Sequence, residues 1–234
     1  MRLFQIPFSH NSVKVRRALD LKGLDYEAVN INPARRRDVK RISGQELVPV
    51  LVEHGRATAG STQILLDVEA RHPDPPLLPG DARERAECIV LMDWADAAFM
   101  ALTRRMAYFR VLSGTGADLG QLFFPGRPAP VQRAGGSVSA IVLRRRFGIT
   151  EDQNREDMEE AIRVAGVAID RLGSEEHLVA GQLTLADITL AAMAAPLQYT
   201  AVAGDPAVQR LLDWSRGIMG DEFTPLQVRA AAAA

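Results

Sequence analysis

The first third of the chain alternates between two hydrophobic periods. Short apolar runs bounded by turn residues predict strands, and apolar positions three and four residues apart predict helices. In chain order the predicted elements are a strand at 2–5, a helix from about residue 11, a strand at 26–31, a basic segment at 33–41, a strand at 50–53 and a helix at 62–71. This βαβ unit followed by a hairpin and a helix predicts an α/β domain over residues 1–72.

A proline-rich segment at 73–82 separates this region from the rest, and its composition is typical of a stiff linker. Beyond it the apolar positions recur at helical spacing, which predicts an all-helical domain over residues 83–234. Two core faces are predicted there, one of Cys88, Leu91, Met92, Ala95, Phe99 and Leu102, and one of Met158, Ala161, Ile162, Ala165, Ile169 and Leu172. Prolines and glycines between them predict a long connection over about 113–136 and then a short basic helix at 137–147.

Late in the chain, Thr184 is followed three residues later by Asp187, and Leu183 and Ile188 flank them. This spacing predicts a helix start with a capping box and a hydrophobic staple, in which Asp takes the place of the usual Glu or Gln. The expected role is structural.

Composition and charge narrow the functional classes. The chain has 234 residues, 47% of them hydrophobic, and a net charge of −1, so no overall field favours nucleic acid or an anionic membrane. No stretch approaches the roughly 20 apolar residues of a membrane span, and the first residues lack a signal core, so we expect a cytoplasmic protein. The single cysteine, Cys88, excludes an internal disulfide, and its place on an apolar stripe predicts a buried, inert thiol.

Four motifs together resemble one family. They are 9–19 (Ser-His-Asn-Ser-Val-Lys-Val-Arg-Arg-Ala-Leu), Val48-Pro49, Ser61-Thr62 at a helix start, and 183–188 (Leu-Thr-Leu-Ala-Asp-Ile). Over nearly its whole length the chain resembles the cytosolic-type glutathione S-transferases with a serine in the N-terminal motif. The resemblance implies a thioredoxin-like N-terminal domain that binds glutathione and an all-helical domain that carries the electrophile pocket.

Ser9 is the leading catalytic candidate. A thiol with a pKa of about 8.5 is only about 3% thiolate at pH 7, and lowering that pKa by about two units makes thiolate the major form. A hydroxyl at a helix N-terminus can supply such a shift, because both the hydrogen bond and the dipole favour the anion. Ser12 is the second candidate and could share the donor role.

The family resemblance implies the other glutathione contacts. Val48 would offer its backbone to the cysteinyl part beside a cis Pro49, and Ser61 with Thr62 would form an anion site for the γ-glutamyl carboxylate. Gly60 and Leu47 stand where many relatives carry polar side chains. The glycine carboxylate of glutathione therefore needs another partner. Lys40 is the residue that we name for this role, and Arg36, Arg37 or Arg41 could also supply it. The alternative is that this basic run is only a solvated surface.

The electrophile pocket should lie between the first loop and the long helix of the second domain. The candidate lining residues are His10, Tyr108, Phe109, Phe123 and Phe124. For each aromatic residue the alternative is that it only packs in the core. The remaining histidines show no metal-ligand spacing, so no metal and no cofactor is expected, with glutathione as a co-substrate.

The sequence thus predicts an enzyme that conjugates a thiolate to a small electrophile and forms a homodimer. Two alternatives stay open. One is glutathione-dependent reduction of a peroxide or disulfide, and the other is a transferase-fold protein without catalysis that acts as a binding or regulatory module. The sequence does not identify the electrophile, nor whether the thiol is glutathione or another small thiol.

Overall fold

The computed structural model describes residues 1–32, 36–113, 116–124 and 126–224. Its N-terminal part holds a four-stranded sheet in the order β2-β1-β3-β4, formed by Arg2–Gln5 (β1), Glu27–Asn30 (β2), Val50–Glu53 (β3) and Arg56–Ala59 (β4). Strand β1 runs parallel to β2 and antiparallel to β3, and β3 and β4 form an antiparallel hairpin. This mixed sheet is the thioredoxin-like arrangement that the sequence predicts.

Helices make up most of the remaining described chain. In order they are α1 (His10–Leu21), α2 (Arg37–Ser43), α3 (Ser61–Arg71), α4 (Ala82–Ser113), α5 (Gly116–Phe123), α6 (Ala129–Phe147), α7 (Glu151–Leu172), α8 (Leu185–Ala194) and α9 (Pro206–Met219). Short 3-10 helices follow at Ala195–Tyr199, Ala201–Gly204 and Gly220–Phe223. Within the described ranges, no helix is both long and apolar enough to cross a membrane.

One buried apolar cluster extends through both halves of the molecule. It includes Leu3 of the sheet, Val15 of α1, Phe99 of α4 and Ile188 of α8. Every residue of α8 is buried, as expected for a helix that is apolar on all sides. Of the predicted core faces, most positions lie inside, whereas Ile162 is 37% exposed because it falls at the edge of the buried side of α7.

The prediction of a long connection over 113–136 is wrong. Within the described residues this region forms α5 and most of α6, which pack as an antiparallel hairpin. Pro130 lies in the first turn of α6, where the missing N–H costs nothing. Gly135 is needed for close packing, since a Cβ there would lie 2.6 Å from the ring of Phe124. The residues that suggest a loop therefore serve a helix start and a tight helix contact.

The predicted capping box forms at the start of α8. One carboxylate oxygen of Asp187 accepts hydrogen bonds from the N–H and hydroxyl of Thr184, at 2.8 and 2.7 Å. The other accepts from the N–H of Leu178 at 2.8 Å, which ties the preceding loop to the helix. Burial raises the pKa of Asp187, and these hydrogen bonds oppose that rise.

We expect Asp187→Ala to lower the free energy of unfolding by about 2–4 kcal/mol, because it leaves buried N–H donors without acceptors in addition to removing the cap. Thr150→Ala is the matched control. Thr150 caps α7 at an exposed position by accepting from the N–H of Gln153, so its loss should cost only about 1 kcal/mol. Urea unfolding of both variants measures the difference, and equal losses would contradict this assignment.

Candidate active site

Ser9 occupies the N-cap position of α1 but its side chain does not cap the helix. The helix is started by the backbone, since the carbonyl of Ser9 accepts from the N–H groups of Ser12 and Val13 at 2.8 and 2.9 Å. The half-buried hydroxyl of Ser9 is therefore available at the positive end of the helix dipole. It is in a position to donate a hydrogen bond to an anion bound in front of the helix.

Ser12 differs from Ser9 in its accessibility. It is fully buried in the first turn of α1, and its hydroxyl oxygen has no hydrogen-bond partner among the described residues. A ligand outside the helix would reach Ser9 before Ser12. The geometry therefore favours Ser9 as the donor, and a shared role for Ser12 stays a prediction.

The peptide bond between Val48 and Pro49 is cis. No hydrogen bond within the described part of the chain engages the N–H or C=O of Val48. The preceding residue Leu47 is different, since the Gln45 side chain bonds both its N–H and its C=O, at 3.0 and 2.9 Å. Val48 thus presents an unused backbone donor and acceptor that an extended peptide-like ligand could pair with.

The start of α3 lies beside this turn, because the N–H of Gly60 donates to the carbonyl of Pro49 at 3.3 Å. Gly60 is the N-cap residue, with a φ of 90° that favours glycine, and Ser61 is the first helical residue. The Ser61 hydroxyl donates to Oδ1 of Asn11 at 3.1 Å. This bond connects the start of α3 to the first turn of α1, so the two helix N-termini form one site.

The Thr62 hydroxyl is directed away from a ligand role. It donates to Oδ2 of Asp96 at 3.0 Å, and Asp96 lies on α4, the first helix of the helical domain. Nζ of Lys14 lies 2.8 Å from both oxygens of the same carboxylate, with its side chain fully buried. Burial lowers the pKa of Lys14, and Asp96 opposes that shift. For Thr62, only the backbone N–H stays available to the predicted anion site.

Four of the predicted pocket residues lie together. Tyr108, Phe109, Phe123 and Phe124 belong to one apolar cluster, which also contains Phe8 from the loop before Ser9. Tyr108 stacks on Phe147 with ring centroids 5.5 Å apart. Phe124 packs against Gly135 and so contributes to the hairpin contact as well. The cluster brings aromatic side chains of the second half next to the loop that carries Ser9.

His10 is the fifth predicted pocket residue and begins α1. It is 8% exposed, and its Nε2 has no hydrogen-bond partner within the described ranges. Burial, followed by the charges of Arg104 and Lys14, lowers the pKa of His10 to about 3. The imidazole is therefore neutral at physiological pH.

Arg104 adds positive charge to this region. Its guanidinium lies 5.6 Å from the centroid of the Phe147 ring, and burial lowers its pKa. Arg104 forms no ion pair with a carboxylate of the described residues, whereas the neighbouring Arg105 pairs with Asp157. Burial raises the pKa of Tyr108, and Arg104 is the first of the charges that oppose it. A half-buried cation beside an aromatic cluster is suited to an anionic group on a ligand.

Lys40 lies on α2, and its ammonium pairs with Oε1 of Glu46 at 3.2 Å with both side chains exposed. Its role at a glycine carboxylate stays a prediction. Cys88 is fully buried in α4, and burial raises the pKa of its thiol, which agrees with an inert residue.

Four residues at the site escaped the sequence analysis, namely Asn11, Lys14, Asp96 and Arg104. Asn11 lies between the two serines of the motif, and this position could have drawn attention to it. The other three are ordinary charged residues of helices, and nothing in their sequence context distinguishes them from solvated ones. Their importance depends on contacts 34 to 82 residues apart in sequence.

The described chain forms a thioredoxin-like domain joined to a helical domain, and the candidate site lies at the N-termini of two helices. Residues 3–76 match the family described as Glutathione S-transferase, N-terminal domain. Among solved structures, a glutathione S-transferase from Rhodospirillum rubrum is 28% identical with a TM-score of 0.66, covering 96% of this chain and 90% of that one. Residues 3–76 are thus similar to the N-terminal domain of glutathione S-transferases, and the described chain as a whole resembles a glutathione S-transferase in its fold.

Curated relatives match the N-terminal part. Glutathione S-transferase Z2 of Arabidopsis thaliana is 36% identical over 90 residues, which are 37% of this chain and 40% of that protein. Maleylacetoacetate isomerase of Pseudomonas aeruginosa is 37% identical over 93 residues, covering 37% and 44%. Maleylpyruvate isomerase of a Ralstonia species is 29% identical over 120 residues, covering 49% and 57%. The chain thus matches about two fifths to three fifths of the length of these relatives.

The lowered pKa of His10 predicts a pH dependence of stability. In the unfolded chain the imidazole takes up a proton below about pH 6.5, while in the folded chain it stays neutral to about pH 3, so stability falls as the pH is lowered through this window. Relative to His10→Asn, the wild type should lose about 2 kcal/mol of unfolding free energy between pH 7.5 and 5.

Urea unfolding at several pH values tests this prediction. His54→Asn is the control, because His54 is exposed in the β3–β4 turn and its φ of 48° suits Asn. Identical pH slopes in the wild type and His10→Asn would refute the burial of a neutral His10.

Proposed function

We propose that this protein binds glutathione or a closely related thiol and stabilises its thiolate with the hydroxyl of Ser9. The observation that carries the proposal is that Ser9 sits at the N-terminus of α1 with a hydroxyl that the helix itself does not use. The unused N–H and C=O of Val48 and the N-terminus of α3 lie in the same part of the fold and suit the peptide backbone and the γ-glutamyl carboxylate.

The thiolate would attack an electrophile held in the aromatic cluster of Phe8, Tyr108 and their neighbours. In a substitution, the sulfur forms a bond to an electrophilic carbon and the leaving group departs with the bonding electrons. In an addition, the sulfur bonds to the carbon and the adduct takes up a proton from solvent. The thiol proton passes to solvent when the thiolate forms. Ser9 keeps its own proton and acts only as a hydrogen-bond donor.

A second candidate is glutathione-dependent isomerisation of an unsaturated anion, and Arg104 favours it. Addition of the thiolate to one carbon of a conjugated double bond leaves a single bond that can rotate. Elimination of the same thiolate then restores the double bond in the other configuration, so no thiol is consumed. Arg104 would hold an anionic group of the substrate while the bond rotates, and two relatives carry isomerase names.

Peroxide or disulfide reduction and a purely binding role stay alternatives, and Gly60 and Leu47, which offer no polar side chain to a thiol ligand, favour the binding role. The homodimer and the cytoplasmic location also stay predictions. The residues expected at the dimer contact belong to α3 and to the start of α4.

We expect Ser9→Ala to raise the pKa of the bound thiol by about one to two units and to reduce turnover at pH 7 about 10- to 100-fold. Thiol affinity should change much less. Absorbance of the enzyme-bound thiolate as a function of pH measures the pKa, and turnover of a chromogenic electrophile measures the rate.

Ser61→Ala is the matched control for Ser9→Ala. If the Ser61 hydroxyl turns from Asn11 to the ligand carboxylate, the substitution should weaken thiol binding by up to about 1.5–3 kcal/mol, less the bond to Asn11 that is given up, and leave the pKa of the bound thiol unchanged. Calorimetry with glutathione and other small thiols gives the affinities. Equal effects of the two substitutions on affinity and pKa would exclude this division of roles.

Arg104→Gln separates the two candidate reactions. If the substrate is an anion held by Arg104, the substitution should reduce kcat/KM for an unsaturated carboxylate such as maleylpyruvate about 10- to 100-fold, because a hydrogen bond to a charged group is worth about 1.5–3 kcal/mol. The rate with a neutral aryl halide should change little.

Arg110→Gln is the control at the exposed end of the same helix. Equal losses on the anionic and the neutral substrate would show that Arg104 supports the fold of the pocket instead of a substrate charge. Absence of any isomerase activity in the wild type would leave conjugation as the supported reaction.

A further inference from the structure

The outer face of α6 is apolar. Val131, Ala134, Val138, Ile141 and Val142 recur at helical spacing on the solvent side of the helix, and all five are exposed. Val138 is 62% exposed and Ile141 is 56% exposed, which makes them two of the most exposed large apolar side chains of the described chain. Helices at a protein surface normally turn their polar side to water, so an exposed apolar face of this kind indicates an interaction site.

The opposite face of α6 is already covered. Gly136 is buried there, and Ala140, Leu143 and Phe147 pack into the aromatic cluster beside α5. The helix therefore already buries one apolar face, and the outer stripe is a second apolar face that the described chain leaves uncovered. Since α5 and α6 contact each other far more extensively than they contact α4, the stripe lies on the outside of a hairpin at the edge of the molecule.

The charges around the stripe have one sign. Residues 119–150 contain five arginines and no Asp or Glu, in a chain whose net charge is −1. Arg133 and Arg145 are exposed and form no ion pair with a described carboxylate. On the adjacent helix α7, by contrast, the arginines are paired, as in Arg155 with Asp152 and Arg163 with Glu160. The hairpin thus concentrates unpaired positive charge around an exposed aliphatic strip.

We propose that the outer face of α6 docks on the surface of a membrane that contains anionic lipids. The aliphatic side chains would sit among the upper acyl chains. Arg145, at the C-terminal end of the stripe, and Arg133, beside it, would contact lipid phosphates. A net charge near zero suggests no membrane partner. That value is an average over the whole chain, however, and it hides the excess of arginines in residues 119–150.

Two other occupants fit the surface less well. A second copy that docked through the same face would bring two sets of unpaired arginines together, and this repulsion opposes pairing of α6 with α6. A protein partner usually relies on aromatic anchors, whereas the exposed stripe consists of valine, isoleucine and alanine. A bilayer needs no shape complementarity, and its fluid surface accommodates a convex helix.

Co-sedimentation of the full chain with vesicles tests the proposal. We expect binding to phosphatidylcholine vesicles that contain about 30% phosphatidylglycerol, loss of binding to phosphatidylcholine alone, and strong weakening in 1 M salt, where the Debye length falls to about 3 Å. Arg133→Gln with Arg145→Gln should reduce the partition coefficient about 25-fold, or about fivefold for each charge. Val138→Ser with Ile141→Ser should reduce it at least about tenfold.

The control is Arg155→Gln with Val167→Ser, which alters one exposed arginine and one exposed valine of α7 and should bind like the wild type. Circular dichroism verifies that each variant folds. Lack of binding by the folded wild type at low salt, or equal binding by all variants, would overturn the proposal. So would sedimentation showing that Val138→Ser with Ile141→Ser dissociates a dimer, or binding to polyglutamate without binding to vesicles, which would indicate a second copy or an acidic protein.

Discussion

The buried ion pair between Lys14 and Asp96 is the contact on which the geometry of the site depends. Lys14 belongs to the helix that begins beside Ser9, and Asp96 belongs to the long first helix of the helical domain. The same carboxylate accepts from Thr62 at the start of α3, so one charged cluster fixes three elements. Loss of either charge would leave the other uncompensated in the interior, a cost of several kcal/mol. The candidate site is therefore held by the helical domain and not by the sheet alone.

Around that contact the site is assembled from backbone groups more than from side chains. The helix N-termini at Ser9 and Ser61 and the unused N–H and C=O of Val48 offer donors and acceptors whose positions the secondary structure fixes. Side chains then add the specific chemistry, such as the Ser9 hydroxyl and the Arg104 guanidinium.

The α5–α6 hairpin shows how glycine and proline can mislead a prediction. Pro130 in the first turn and Gly135 in the interior of α6 both suggest a loop. In the folded chain each meets a local demand, one at a helix start and the other at a contact with Phe124. The hairpin in turn supplies most of the aromatic wall next to the Ser9 loop, so the region expected to be a connection contributes to the candidate pocket.

The sequence by itself determined the elements whose signals are local. The period of apolar positions predicted the strands, α1 and α3 of the first 72 residues, but not α2, which was expected only as a basic segment. The spacing of Thr184 and Asp187 predicted the cap of α8, because hydrogen bonds within one turn decide such a feature. Ser9 and Ser61 became candidates through the family resemblance of their motifs, and their roles stay predictions. Tertiary structure alone decided which charges are paired and buried. Lys14 and Asp96 lie 82 residues apart in sequence, and Arg104 differs from Arg105 only in the neighbours that folding provides. Pairing and desolvation depend on three-dimensional distance, and the order of residues along the chain does not encode that distance directly.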